Sequence, residues 1–312
     1  MAELEWKIPD INDFKFLNGN LLTEGLLGSD CSIVNIFLLQ KKYDIHTAVS
    51  NNVFFRYYTG NANRTGYGFP LRLRGADSDY LTEALDSIFK DAEKNDRSVR
   101  FCLLTEEQKN MISLCLSRNF PGKKAAWSTT IDDNDYIYER QKLADLSGKT
   151  YHKKKNHVSR FRRIYDGRWE FRSLSLCQIT DDILKVSEKW GEEHDAANDR
   201  ILSLELESIR FALNHKDAFG LEGGVLYTDG TPCAMTLASR ISDSALDIHF
   251  EKCLREAADN GAYAAVNWCF ASCCPEFTYL NREEDMGVEG LRKAKLSYHP
   301  QILLEKFYGE IS

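Results

Sequence analysis

The amino-acid sequence predicts an α/β protein of two tandem units, each a mixed central sheet flanked by helices. Two observations predict this. The chain has 312 residues, more than a single core ordinarily serves. Its predicted elements also run twice through one order: helices, a β-meander, then helix, strand, helix and strand. The halves share no visible identity, so the repeat is one of architecture. A boundary is expected at Asp132-Asp133-Asn134-Asp135. It divides the chain into 1–135 and 136–312, the second unit beginning with a connecting segment as far as Ser147.

In the first unit, Ile11, Phe14, Leu17, Leu21, Leu22 and Leu26 fall at helical spacing over 10–27, although Gly19 weakens the middle. Residues 46–49, 53–58 and 66–73 hold the β-branched and aromatic residues of three strands, with Asn51-Asn52 as a turn. A helix is predicted over 77–94, with Leu81, Leu85, Ile88, Phe89 and Ala92 on one face. Val99 to Leu104 is a nearly continuous apolar strand, as in a sheet covered on both sides. Thr105-Glu-Glu-Gln108 fits a capping box for a helix through Arg118, and 125–131 returns as a strand.

In the second unit a helix is predicted over 150–165, with Val158, Phe161 and Ile164 inward. A strand (169–174), helices (181–194, 203–214) and a meander (219–227, 231–240, 245–250) follow, with Asp229-Gly230 as a hairpin turn. An apolar helix (263–274), a strand (277–280), a helix from Gly290 and a strand (302–308) complete the chain.

Composition is that of an ordinary globular protein, 43% hydrophobic and 28% charged. A net charge of −7 gives no global attraction to nucleic acid or anionic membrane. Nine cysteines form no Cys-x-x-Cys pair and no zinc spacing. Most sit in apolar company, such as Phe101-Cys102-Leu103, and read as reduced core thiols of a cytoplasmic protein. The amino terminus is acidic, unlike a signal peptide. No apolar run approaches the ~20 residues that span a bilayer, so no integral membrane association is expected. Trp190-Gly-Glu-Glu-His194 is not a His-Glu-x-x-His motif. No Walker loop, dinucleotide fingerprint or Ser-His-Asp motif occurs, so no metal and no tightly bound cofactor are expected.

Chemistry concentrates in two places. Over 148–172, nine lysines and arginines face only Asp166 and Glu170. This is either a solvated helix face or a phosphate-binding patch. From Asp247 to Pro300, Asp247, His249 and Glu251 alternate with Leu246, Ile248 and Phe250, which places the three polar side chains on one face of a strand. The charged stretch 281–300 follows, as a pocket rim or a solvated surface.

The element order resembles that of the GNAT acyltransferase fold, here as two tandem GNAT-like domains. The sequence also looks like a bacterial family named for its similarity to the C-terminal domain of phosphatidylglycerol lysyltransferase. The residues that carry this are the Lys149–Arg163 helix, Ile248-His-Phe-Glu-Lys252, Asn281-Arg-Glu-Glu-Asp285 and Gly290-Leu-Arg-Lys-Ala-Lys-Leu-Ser-Tyr-His-Pro300. It is more distantly similar to the Fem aminoacyltransferases. Lys155-Asn156-His157-Val158 looks like their basic-helix motif, and Ala294-Lys295, Tyr298 and His299-Pro300 occupy the place of their Phe-Lys, aromatic and Gly-Pro residues.

The resemblance implies transfer of an acyl or aminoacyl group, from acyl-CoA or aminoacyl-tRNA, to an amine or hydroxyl. Acetyl-CoA enzymes of the fold carry Gln/Arg-x-x-Gly-x-Gly/Ala, whose backbone N–H groups hold the pyrophosphate. Leu254-Arg-Glu-Ala-Ala-Asp-Asn-Gly261 lacks that glycine pair, which argues against acyl-CoA. The basic helix offers Lys153, Lys154, Lys155, Asn156 and Arg160 to phosphate, suited to a tRNA end or to a phosphorylated acceptor.

Acyl transfer needs a base, a polarised carbonyl and positioning. Glu251 is the first candidate base and His249 the second; the plainer reading pairs Asp247 with His249. Lys295 or Arg292 would stabilise an oxyanion or hold a phosphate. Asn281 and Arg282 line the same stretch, where Arg282 with Glu283, Glu284 and Asp285 reads equally as a loop-fixing ion network. Tyr298 would return a proton to the leaving group, or simply pack as an aromatic. The alternative to an enzyme is a non-catalytic GNAT-fold module that binds a phosphorylated ligand or RNA.

Overall fold

Two dipeptides in left-handed backbone set the tight hairpins. Asn51-Asn52 has φ of 49° and 55°, and Asp229-Gly230 has 51° and 74°. Two successive positive φ values match the right-handed twist of the flanking strands, which is why Asn, Asp and Gly stand there. The computed structural model describes residues 3–60 and 64–312. The described chain forms two compact units. Met1–Glu24, Ile33–Asn134 and Leu304–Ser312 make the first; Gly25–Ser32 and Asp135–Leu303 make the second.

The first unit contains α1 (Ile11–Asn20), α2 (Ile33–Leu38), α3 (Gln40–Tyr43), β1 (Ile45–Ser50), β2 (Val53–Tyr58), β3 (Gly66–Tyr67), β4 (Leu71–Arg72), α4 (Tyr80–Lys94), β5 (Val99–Leu104), α5 (Glu106–Asn119) and β6 (Ala125–Thr129). Its seven-stranded sheet runs β1-β2-β3-β5-β14-β6, with β4 on β2, where β14 (Phe307–Ile311) is the last strand of the chain. The Thr105 capping box forms as expected, with Gln108 as its other half. Two expectations are corrected. The helix over 10–27 stops at Asn20, and Leu21 forms a bridge to Leu73 instead. The strand over 66–73 is split in two around Pro70, which has no N–H for a ladder.

The second unit contains β7 (Asp135–Glu139), α6 (Arg140–Asp145), α7 (His152–Ile164), β8 (Trp169–Ser173), α8 (Thr180–Glu193), α9 (Arg200–Asn214), α10 (Lys216–Phe219), β9 (Glu222–Thr228), β10 (Thr231–Ser242), β11 (Ala245–Cys253), α11 (Arg255–Asp259), α12 (Ala262–Cys273), β12 (Tyr279–Asn281), α13 (Glu289–Leu296) and β13 (Ile302–Leu304). Its sheet runs β13-β7-β12-β11-β10-β9-β8. The residues expected to connect the units are therefore a buried strand and a helix. Tyr136, Ile137 and Tyr138 are buried, and β7 pairs antiparallel with β12.

The chain changes unit after Glu24, Ser32, Asn134 and Leu303. Polar bonds explain the short insertion. The buried Asp135 carboxylate accepts from the Ser29 N–H (2.8 Å), the Ser29 hydroxyl (2.9 Å) and Asn281 Nδ2 (2.8 Å). At the other end, the predicted strand 302–308 breaks into β13 and β14, which belong to different sheets.

One face of the second sheet is covered by α12, α6 and α7, with Val158, Phe270 and Ala264 packed on Ala238, Leu246 and Ile248. The other carries α8 and α9, where Lys252 forms an ion pair with Glu205. This is an α/β protein of two units, each a mixed sheet with flanking helices.

Candidate functional site

The site is created where two parallel strands part. β11 and β12 pair only at Ala245↔Tyr279, Leu246↔Leu280 and Asp247↔Asn281. Beyond that, β11 continues to Cys253 while the chain after Asn281 turns away. Polar side chains fill the opening on either face.

His249 decides which side chain meets which face. Opposite Leu237 and Ala238 of β10 stand Phe250 and Ile248, so His249 is the extra residue of a β-bulge. The extra residue reverses the alternation. Glu251 shares the face of its partner Thr236 and of Ile248, whereas Asp247 shares the opposite face with its partner Ser239. His249 also faces Ser239, its Nε2 lying 2.7 Å from the hydroxyl. The expectation that Asp247, His249 and Glu251 line one face is thus corrected, because strict alternation assumes an unbroken ladder.

On the face covered by α12, α6 and α7, Glu251 Oε1 accepts from Arg282 Nη2 at 2.7 Å, and Oε2 lies 3.4 Å from Asn267 Nδ2. Only 10% and 13% of the two charged side chains is exposed. The Arg282 guanidinium lies 4.9 Å from the centre of the Tyr298 ring, and Lys154 Nζ sits 3.7 Å over the same ring. Tyr138 stands edge-on to Tyr298 and donates its hydroxyl to the Lys295 carbonyl at 2.8 Å. Three buried polar atoms in this cluster make no hydrogen bond among the described residues: Thr236 Oγ1, Asn267 Oδ1 and Arg282 Nη1. Buried polar groups are nearly always satisfied, so such atoms mark a place for a ligand or water.

The charges of the cluster follow from this packing. Burial opposes the Arg282 charge, but Glu251, Tyr138 and Tyr298 prevail and its pKa is raised. Burial pushes the Tyr298 hydroxyl up, against the pull of Arg282. Lys154 is pushed down to about 8, by burial first and then by Arg282, with Glu251 acting against both.

The loop after β12 is pinned by the other candidates. The Lys295 ammonium donates to the backbone carbonyls of Arg282, Glu283 (3.1 Å) and Glu284, which uses all three of its N–H groups. Arg292 makes a two-pronged pair with the buried Asp285, Nε to Oδ2 at 2.7 Å and Nη2 to Oδ1 at 2.8 Å. Asp285 also accepts from Tyr136 (2.6 Å) and the Gly287 N–H (2.9 Å). Asn281 donates to Leu27 and Asp135 and accepts from the Glu283 N–H. These residues pin the loop, while the Arg282 side chain turns into the opening beside Glu251.

Helix α7 divides the lysines. Lys154, Val158 and Phe161 form its inward stripe at i, i+4 and i+7, so Lys154 extends the apolar face by one turn and carries its ammonium into the cluster. Lys153, Lys155, Asn156 and Arg160 point outward and are exposed. At the place for a pyrophosphate, α11 is a five-residue helix whose Arg255 N–H donates to the Glu193 carboxylate at 2.9 Å.

Asn267, Thr236 and Tyr138 were not singled out from the sequence. Asn267 had a signal, since it is the one amide on the apolar helix α12. Tyr138 lay in the segment read as a connection, and Thr236 in an ordinary strand.

Comparison with known proteins bears on family and fold. The family described as phosphatidylglycerol lysyltransferase, C-terminal, matches residues 26–309. A conserved protein of unknown function from Bacteroides thetaiotaomicron is 27% identical, with a TM-score of 0.87 over 99% of this chain and 100% of that one. The structure of L-PGS from Bacillus licheniformis superposes with a TM-score of 0.65 at 15% identity, covering 97% of this chain and 92% of that one. No curated protein matches significantly. Among the described residues no helix is long and apolar enough to cross a membrane. The match over residues 26–309 is decisive, and the chain belongs to the phosphatidylglycerol lysyltransferase C-terminal family.

Proposed function

We propose that the protein transfers an aminoacyl group from aminoacyl-tRNA to a hydroxyl or amine acceptor, at the opening between β11 and β12. The observation that carries this reading is the buried cluster of Glu251, Arg282, Lys154 and Tyr298, with hydrogen-bonding atoms still unused. The ester carbonyl of the donor would accept from Arg282 Nη1, which holds the charge that develops on oxygen. Glu251 is a positioning residue, since its carboxylate already accepts from Arg282. Lys154, whose pKa burial lowers to about 8, takes the proton of the attacking group. The new C–O or C–N bond forms as the ester bond to the ribose breaks. Tyr298, whose hydroxyl keeps its proton at neutral pH, protonates the leaving ribose oxygen.

Two features support tRNA over acyl-CoA. A carboxylate, Glu193, occupies the N–H of α11 where a pyrophosphate would need it. The outer face of α7 offers Lys153, Lys155 and Arg160 to a phosphate backbone. The family name makes lysyl-tRNA and phosphatidylglycerol vesicles the first pair to test. The test is single-turnover transfer of radiolabelled aminoacyl groups, beside calorimetry with charged tRNA and acetyl-CoA. Transfer from tRNA, lost in Arg282→Lys, is the expected result. Saturable acetyl-CoA binding with acetyl transfer, or tRNA binding without turnover for any acceptor, overturns the reading.

A further inference from the structure

On the opposite face of the opening, one ligand atom from each of Asp247, His249 and Glu283 lies within 4.8 Å of the others. The three residues reach this point by different routes. Asp247 is the last β11 residue paired to β12, His249 is the bulge, and Glu283 follows β12 in left-handed backbone at φ 56°. That backbone is uncommon for a residue with a side chain, and the Asn281 side chain holds it by accepting the Glu283 N–H at 2.7 Å.

The separations decide what the point is suited to. Nδ1 is 3.6 Å from Asp247 Oδ2 and 3.4 Å from Glu283 Oε1. A charge-assisted hydrogen bond from an imidazolium would bring the atoms to about 2.7–2.9 Å. With metal–ligand bonds of about 2.0–2.2 Å, the edges of a tetrahedron are about 3.3–3.6 Å. The two distances match the spacings of ligands around an ion, and the shorter is also a long hydrogen bond between Nδ1 and the Glu283 carboxylate.

The ring is also held as a metal-binding imidazole is held. Nε2 meets the Ser239 hydroxyl at 2.7 Å. With that nitrogen as donor, Nδ1 presents its lone pair to both carboxylates. Side-chain exposure is 1% for His249, 0% for Asp247 and 20% for Glu283, so the point is enclosed and opens only at Glu283.

We propose that Asp247, His249 and Glu283 bind one divalent transition-metal ion of the zinc class. The donor set is one imidazole nitrogen and two carboxylate oxygens, which suits such ions. Three protein ligands leave a further position for water. The ion ties β11 to the loop after β12 where the strands separate, and so holds the opening apart.

The test uses the full chain, stripped of metal, with the two exposed thiols Cys177 and Cys273 replaced by serine. Zn2+ is titrated by calorimetry and Co2+ by visible absorption. One equivalent is expected to bind, with the d–d bands of a low-symmetry nitrogen–oxygen site. Glu283→Gln, a same-size change at the most exposed ligand, is expected to stay folded by circular dichroism and to weaken both ions at least tenfold. Absence of saturable binding at millimolar ion overturns the proposal. So does a folded Glu283→Gln protein that binds as tightly as its parent. A His249 ring that nitrogen NMR finds doubly protonated at neutral pH with Zn2+ present overturns it as well.

Discussion

Arg282 and Glu251, 31 residues apart in the chain, bridge the parting strands β11 and β12 with a hydrogen bond of 2.7 Å. The pair stands behind almost closed walls, so each charge depends on the other. Removing one partner of such a pair leaves a buried charge uncompensated.

Glu251→Gln is therefore expected to destabilise the protein by about 3 kcal/mol, read as a lower urea midpoint with an unchanged slope. Replacing both residues with leucine should recover much of the loss. A Glu251→Gln protein as stable as its parent would show that the pair contributes nothing to the fold.

Lys154 gives a pH dependence with a definite sign. Its folded pKa of about 8 lies below the ordinary value of 10.5, chiefly through burial. Between these values the unfolded chain binds more protons, so stability rises with pH across that window. Below it the group contributes no slope. Lys154→Met should flatten the rise between pH 8 and 10 in denaturation curves, and should remove a limb near pH 8 from the pH–rate profile. An unaltered slope in the variant would detach Lys154 from the cluster.

Lys295→Met is expected to loosen the loop after β12. Three carbonyls lose their shared ammonium, and a buried acceptor left unsatisfied costs on the order of 1–3 kcal/mol. Amide exchange over residues 282–288 should quicken at least tenfold, with transfer activity falling through disorder of Arg282. Unchanged exchange would contradict the assigned anchor.

The outward residues of α7 are tested by ionic strength. If they meet phosphates, replacing Lys153, Lys155 and Arg160 with alanine should lower the slope of log K against log[salt] for tRNA by about 0.7–0.9 for each phosphate no longer neutralised. Weaker binding with the same slope would assign the change to something other than phosphate neutralisation.

Much of this was legible in the sequence. The Asn51-Asn52 and Asp229-Gly230 turns, the Thr105 capping box and the strand Val99–Leu104 follow from local chemistry, and the structure has them in place. Helical phase singles out Lys154 among three consecutive lysines, because it alone continues the stripe of Val158 and Phe161. That step needed only the period of a helix, and treating the basic run as one patch concealed it.

The rest depended on partners far away in the chain. β7 reads as a connection because Asp132 to Asp135 is polar, yet Asp135 is buried where Ser29 and Asn281 satisfy it. The bulge at His249 is a property of pairing with β10, and no single strand announces it. By itself the sequence determined the fold class, the order of elements and the residue types available for chemistry, because propensity, turn chemistry and period act over a few residues. Only the tertiary structure decided that Glu251 meets Arg282 on one face while His249 meets Asp247 and Glu283 on the other. The physical reason is that one extra residue in a ladder reverses every side chain beyond it, and whether it is extra depends on the neighbouring strand.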